Sequence, residues 1–221
     1  IYATTDKARG ALKQVADAYR KIRNTIRYLL GNLHDFNPET DLLERDQLLE
    51  IDRWAMHRLQ EVVGKVSTAY KEYEFHLVYH ALNNYCSVDL SAVYLDILKD
   101  RLYTSGRDSL ERRSAQTVLY HVADSLIRML TPVLSFTAEE AYAYLPKPTG
   151  SPVTAQLLTL PQVDPSYLDD SLAEEWEKIM EVREAAQAVL EKARADKLIG
   201  SSQEASVHLY VTGGEGSMAE V

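Results

Sequence analysis

Apolar side chains recur at three- and four-residue spacing through most of this chain, the signature of helices that bury one face. In the opening stretch Leu12, Val15, Ala16, Tyr19, Ile22, Ile26, Leu29, Leu30 and Leu33 follow that rule. They predict one long helix, capped by Thr5 or Asp6 and closed by Gly31. After a turn at Asn37-Pro38, Leu48, Ile51, Ala55, Leu59, Val62 and Val66 predict a second helix from Asp41 or Asp46 to Tyr70. A third covers Glu74 to Cys86, with Phe75, Val78, Tyr79 and Leu82 inward; Ser87-Val88-Asp89 is expected to interrupt it before a shorter helix, Leu90–Arg101. Beyond a turn at Thr104–Asp108, Glu111–Leu130 is the next helix, stopped by Pro132, and Thr137 caps a short one ending at Tyr144.

The pattern then changes. Five of the seven prolines (Pro146, Pro148, Pro152, Pro161 and Pro165) fall within twenty residues, which predicts an irregular connection with one short strand at Val153–Leu160. A strongly acidic helix from Asp170 to Lys197 follows, with Leu172, Trp176, Ile179, Arg183, Ala186, Leu190 and Ala193 along one side, and Gly200 is expected to end it. Ser201-Ser202-Gln203-Glu204 has capping-box spacing, and Ser206–Val211 reads as a strand before the turn Gly213–Gly216. The chain opens on Ile1 and closes just past that strand, so it is expected to be a piece of a longer polypeptide.

Composition narrows the class. The 221 residues are 46% hydrophobic and 26% charged, as in ordinary globular proteins. No apolar run approaches the roughly 20 residues that span a bilayer, so no membrane partner is expected. Cys86 is the sole cysteine, which leaves no internal disulfide and no multi-cysteine zinc site and points to the cytoplasm. The net charge of −9 is unevenly spread. Residues 1–30 hold seven Lys/Arg against Asp6 and Asp17, whereas residues 114–221 hold seven against sixteen acids. The first helix is therefore locally basic in an acidic chain.

Chemistry is sparse. There is no P-loop, no Gly-x-Gly-x-x-Gly and no nucleophile elbow. His76 and His80 stand four apart, a spacing open to a metal, but Leu77 occupies the place of a zinc protease's glutamate, and two polar helix positions explain the pair. Glu139-Glu140, near a helix start, are explained by the helix dipole. No catalytic or metal-binding residue is expected. More informative is a stripe on the first helix: Arg9, Lys13, Arg20, Asn24 and Arg27 share one arc, while Arg23 lies nearer the apolar face and is expected to pack its stem and pair with an acid. Such a stripe suits a phosphate backbone. The pattern alone fits better still with a solvated flank, or one pairing with Asp41, Glu44 or Glu50. Trp54 lies off the apolar face of its helix beside Arg58 and Lys65, as a base-stacking platform would, or as a seam filler would.

Several runs together resemble the anticodon-binding region of isoleucyl-tRNA synthetases. They are Tyr19–Leu33, Ile51-Asp52-Arg53-Trp54-Ala55-Met56-His57-Arg58-Leu59, Tyr94–Tyr103, Arg112–Tyr120, Pro132–Glu140 and, past the prolines, Leu198-Ile199-Gly200-Ser201-Ser202 with Glu204-Ala205. They come in the family's order over most of the chain. The valyl and leucyl enzymes share the architecture, but Asp96–Tyr103 and Arg112–Tyr120 look closer to the isoleucyl type. Where the family often has tryptophan, this chain has Met129 and Tyr142.

The resemblance implies a mainly α protein: an anticodon-binding helical bundle of the class I type over 1–145, a Pro-rich connection over 146–168, and over 169–221 a long helix leading into a small α/β unit. It implies a soluble cytoplasmic monomer that binds isoleucine tRNA by its anticodon stem-loop and neither DNA nor membrane. Lys13, Arg20, Asn24, Arg27, Trp54 and Arg58 are its candidate RNA contacts. ATP and magnesium would serve a catalytic domain of the same polypeptide. The His-x-Gly-His and Lys-Met-Ser-Lys-Ser motifs of that domain do not occur in this sequence, so no activity is expected of the piece alone. The competing expectation is a helical module that binds protein through its acidic Asp170–Lys197 helix.

Overall fold

The computed structural model describes residues 6–210, leaving aside the side chains of residues 6–9 and 11. The chain divides after Asp169 into two units. The first is a helical bundle. Its helices are α1 (Asp6–Gly31), α2 (Glu50–Lys71), α3 (Phe75–Asn84), α4 (Leu95–Thr104), α5 (Leu110–Leu130) and α6 (Ser135–Tyr144). No described helix is long and apolar enough to cross a membrane.

α5 is the axis of the bundle. Ala115, Val118, Leu119, Val122, Ala123, Leu126, Ile127 and Met129 are all fully buried along it, as the apolar side chains of a central helix must be. Its start is capped by Ser109, whose hydroxyl accepts from the Arg112 amide at 3.3 Å. α1 packs Ala18, Ile22, Ile26 and Leu29 inward, while Leu12 and Val15, expected on the same face, are exposed. Gly31 is the last residue of α1 but is not among the residues of positive φ.

Three boundaries differ from the periodicity reading. The second helix begins at Glu50, not at Asp41 or Asp46, with only a 3-10 turn at Arg45–Gln47 before it. The reason is tertiary: the Leu43 and Leu49 amides donate to Thr117 Oγ1 at 3.1 Å and Ser114 Oγ at 3.0 Å, which lays this segment against α5. Ser87-Val88-Asp89 does not break the chain's third helix. Tyr85–Tyr94 continues from α3 into α4 as a π-helical stretch, held by Ser91 Oγ donating to the Cys86 carbonyl at 2.6 Å. α6 begins at Ser135, so Thr137 lies inside it, where its hydroxyl meets Tyr19 Oη at 3.2 Å.

The proline-rich connection contains no strand at 153–160; its only regular pieces are the 3-10 turns Ala155–Leu157 and Pro165–Tyr167. It is tied to the bundle by side chains. Glu139 accepts from Thr154 Oγ1 at 2.6 Å and from the Ala155 amide at 2.9 Å, Gln60 accepts from the Asp164 amide at 2.8 Å, and His57 Nδ1 accepts from the Asp169 amide at 2.9 Å. Glu139 thus has a partner beyond the helix dipole, and Glu140 pairs with Arg23 at 3.4 Å, the acid partner expected for that arginine.

The second unit consists of the long helix α7 (Asp170–Ala195) and the residues after it. Lys197, not Gly200, terminates the helix: Lys197 adopts a left-handed φ of 57°, and the Leu198 amide reaches back to the Ala193 carbonyl at 2.9 Å. Tyr73 ends α2 in the same way, with φ 59° and the Glu74 amide on the Ala69 carbonyl at 2.8 Å. Glu204 turns back on the Gly200 amide at 2.9 Å. Residues 206–210 are without helix or strand, and the remainder of the expected strand and the turn Gly213–Gly216 lie outside the described residues.

Candidate nucleic-acid interface

The bundle sorts its charged side chains into two kinds. The first kind is committed to the fold. Asp52 on α2 is completely buried and accepts from Tyr94 Oη at 2.7 Å, Ser114 Oγ at 2.5 Å and both ends of the Arg101 guanidinium at 2.8 and 3.0 Å. A second hub, Asp35, accepts from Arg112 at 2.5 and 3.1 Å and from Gln116 at 2.8 Å. Those Arg112 hydrogen bonds hold the Asp35 carboxyl far below the usual carboxylate range, against the opposing effect of burial. Arg113 bridges Asp108 at 2.8 Å and Asp41 at 3.2 Å. Asp52, Tyr94, Arg101, Arg112, Arg113, Ser114 and Gln116 belong to the Ile51–Leu59, Tyr94–Tyr103 and Arg112–Tyr120 runs, so these family signals lie in side chains that hold the helices together. Cys86 is equally inert: burial pushes its thiol up to about 12.

The second kind lies on α1. Lys13, Arg20, Asn24 and Arg27 are exposed, and so is Lys21. Among the described residues Lys13, Lys21 and Arg27 form no ion pair. Arg20 is held only by Asp17 at 2.7 Å, one helical turn away and solvent-exposed, a contact of small energetic weight. None of the four stripe residues pairs with Asp41, Glu44 or Glu50.

Trp54 and Arg58 do not join them. Trp54 is buried, with 6% of its surface exposed, so the seam-filling role applies and its ring offers no open stacking face. Arg58 is occupied by Glu61 on its own helix and by Asp89 at 3.0 and 3.2 Å, which fastens the π-helical stretch to α2.

Beside the α1 stripe runs a groove of about 410 Å³, whose α1 wall is Lys21, Asn24, Thr25 and Tyr28. Ser87 and Ser91 of the π-helical stretch and Leu95, Asp96 and Lys99 of α4 form the other wall. Apart from Asn24, these residues were not among the sequence candidates. Lys21 and Tyr28 sit at adjoining angles on the same helix and were within reach of the helical wheel. Lys99 and the serines come from a distant part of the chain and carried no such signal.

The family model described as the anticodon-binding domain of tRNA ligase matches residues 52–209. An isoleucine–tRNA ligase of Symbiobacterium thermophilum is 76% identical over 210 residues, 95% of this chain and 22% of that protein. Those of Moorella thermoacetica and Carboxydothermus hydrogenoformans are 53% and 54% identical over 90% and 91% of the chain. The chain spans about a fifth of the length of these curated relatives. The family model begins at Asp52, but at 95% coverage the first relative also takes in the exposed part of α1 from Arg20 to Arg27. By its helical fold and by the family model that covers most of its length, this chain belongs to the anticodon-binding domain family of tRNA ligases.

Proposed function

We propose that this chain is the segment of an isoleucine–tRNA ligase that holds the anticodon stem-loop of isoleucine tRNA, with Lys13, Arg20, Asn24 and Arg27 of α1 as its contact row. The observation that carries the reading is the row itself. Whereas the guanidinium groups of Arg101, Arg112 and Arg113 are bound to carboxylates inside the bundle, α1 presents cations with no buried partner. Arginine and lysine there neutralise phosphates, and Asn24 hydrogen-bonds sugar or base. Trp54 and Arg58 drop out of the contact set. Attachment of isoleucine, with its ATP and magnesium, is assigned to a catalytic domain elsewhere in the polypeptide. The whole protein is read as a cytoplasmic monomer that binds neither DNA nor membrane. The family match disfavours a protein-interaction module built on α7.

The test is titration of labelled isoleucine tRNA across a series of salt concentrations, with an anticodon-substituted tRNA beside it. A log–log slope of roughly −2 to −4 is expected for a few phosphate contacts. Arg27→Ala should weaken binding about threefold to tenfold and lower the slope by about 1. Equal binding of both tRNAs would reduce α1 to a backbone grip, and no binding at low salt would sink the reading.

A further inference from the structure

The groove beside α1 is walled mostly by polar side chains. Its roughly 410 Å³ is within the range of small-ligand clefts and far too small for a helix. Apart from the buried Tyr28 hydroxyl, its floor is apolar or satisfied. Leu95 is buried, Thr25 is buried with its hydroxyl 3.0 Å from the Lys21 carbonyl, and Ser91 donates to the Cys86 carbonyl. Two polar groups at the mouth are left over: among the described residues, no hydrogen bond commits the Asn24 amide and no ion pair commits the Lys21 ammonium. The opposite lip is the Asp96–Lys99 pair at 2.7 Å, both ends solvent-exposed. The wall beneath is the π-helical stretch, a form of helix found disproportionately at functional sites.

Asn24 belongs to both features. It stands in the cation row, four residues after Arg20 and three before Arg27, so one cation lies a helical turn away on either side. It also lines the groove. A backbone following Arg20 and Arg27 therefore passes the groove mouth, and a base turned inward from it meets the Asn24 amide edge-on. An asparagine amide offers one donor and one acceptor side by side, the complement of adenine's amino group and adjacent ring nitrogen.

We infer that the groove between α1 and the π-helical stretch is the receptor for one unpaired adenine of the bound RNA loop, read by Asn24 with Lys21 and Lys99 flanking it. The inference rests on the anticodon-binding reading and deepens it, by naming which chemistry of base is taken and where. Asn24 then supplies selectivity, while Arg20 and Arg27 supply grip.

The experiment uses the stem-loop RNA of isoleucine tRNA, with each loop adenine replaced in turn by purine, which lacks the 6-amino group. It is titrated with the wild-type chain and with Asn24→Ala, Lys21→Ala and Arg20→Ala, each checked for an unchanged melting curve. One replacement should weaken wild-type binding about tenfold. Asn24→Ala should lose about the same on the native loop and be indifferent to that replacement. Lys21→Ala and Arg20→Ala should weaken every loop alike and lower the salt slope by about 1. If wild type binds the RNA but no replacement matters, or Asn24→Ala keeps the discrimination, the adenine pocket is overturned and the anticodon-binding reading stands. If wild type binds no stem-loop even at low salt, both fall together.

Discussion

Arg112 and Arg27 sit on two helices of the same bundle and have opposite surroundings. Arg112 is buried, and its guanidinium meets the Asp35 carboxylate through two hydrogen bonds, with further ones to the Leu102 and Arg107 carbonyls. Arg27 is exposed, and among the described residues no carboxylate comes within reach of it. The difference shows what each charge is for. A buried ion pair needs nearly every one of its hydrogen bonds satisfied, so it orients helices and leaves nothing over for a partner. An exposed cation contributes almost nothing to the fold and keeps its charge for a ligand. Substitution should therefore separate the two regions cleanly: the hubs move stability, and α1 moves RNA affinity.

The sharpest way to break that division is Asp52→Ala. It strands Arg101, Tyr94 and Ser114 around an empty site, and a loss of about 3–5 kcal/mol is expected in urea denaturation. A loss under about 1 kcal/mol would mean that the hub is ornament. Next is the acid limb of stability. Asp35 has its folded-state value depressed by Arg112, so its contribution is full above the unfolded carboxylate value near 4 and is lost as the pH falls from there toward the lower folded value. Arg112→Ala should weaken that dependence, with Gln116 still on the carboxylate, read as a flatter profile of urea midpoint against pH below about 4. A third test is Arg58→Ala, which releases the π-helical stretch from α2 and is expected to cost about 1–2 kcal/mol of stability while leaving the salt slope of RNA binding unchanged. A lower slope would return Arg58 to the contact set. The smallest effect belongs to Asp17→Asn, which frees Arg20 and removes a negative charge from the face. RNA affinity should rise by about twofold with no change in melting temperature.

Much of this was legible in the sequence, for identifiable reasons. α1, α5 and α7 were readable because each keeps one period for more than twenty residues. The start of α2 was not, since the groups that hold Leu43 and Leu49 out of helix belong to Thr117 and Ser114, far along the chain. Ser87-Val88-Asp89 read as a break because serine, β-branched valine and aspartate are poor helix formers. Their π-helical continuation depends on Arg58 and Ser91 holding the wide turns in place. Gly200 was the expected terminator of α7, yet Lys197 takes the left-handed position there, as Tyr73 does at the end of α2. In the candidate interface the exposed row on α1 was visible because one helix carries it whole. Trp54 misled for the converse reason: a wheel drawn for α2 alone carries no information on the neighbours that cover its flank. The groove is shared between α1 and a stretch some sixty residues later, as with Thr25 and Cys86, and only folding brings its walls together.

The π-helical stretch has one more consequence, for the insertions and deletions this chain tolerates. Wider turns accommodate more residues per turn than an α-helix, so Tyr85–Tyr94 holds surplus chain between α3 and α4. Deleting one residue there would let the stretch relax toward ordinary α geometry, a locally favourable change. Deleting one residue instead from the first turn of α4, which has no such surplus, would rotate everything beyond it by about 100°. Arg101 would swing off Asp52 and Lys99 away from the mouth of the groove, so the phase of this helix is common to the bundle's fully buried carboxylate and to its proposed reading of a base.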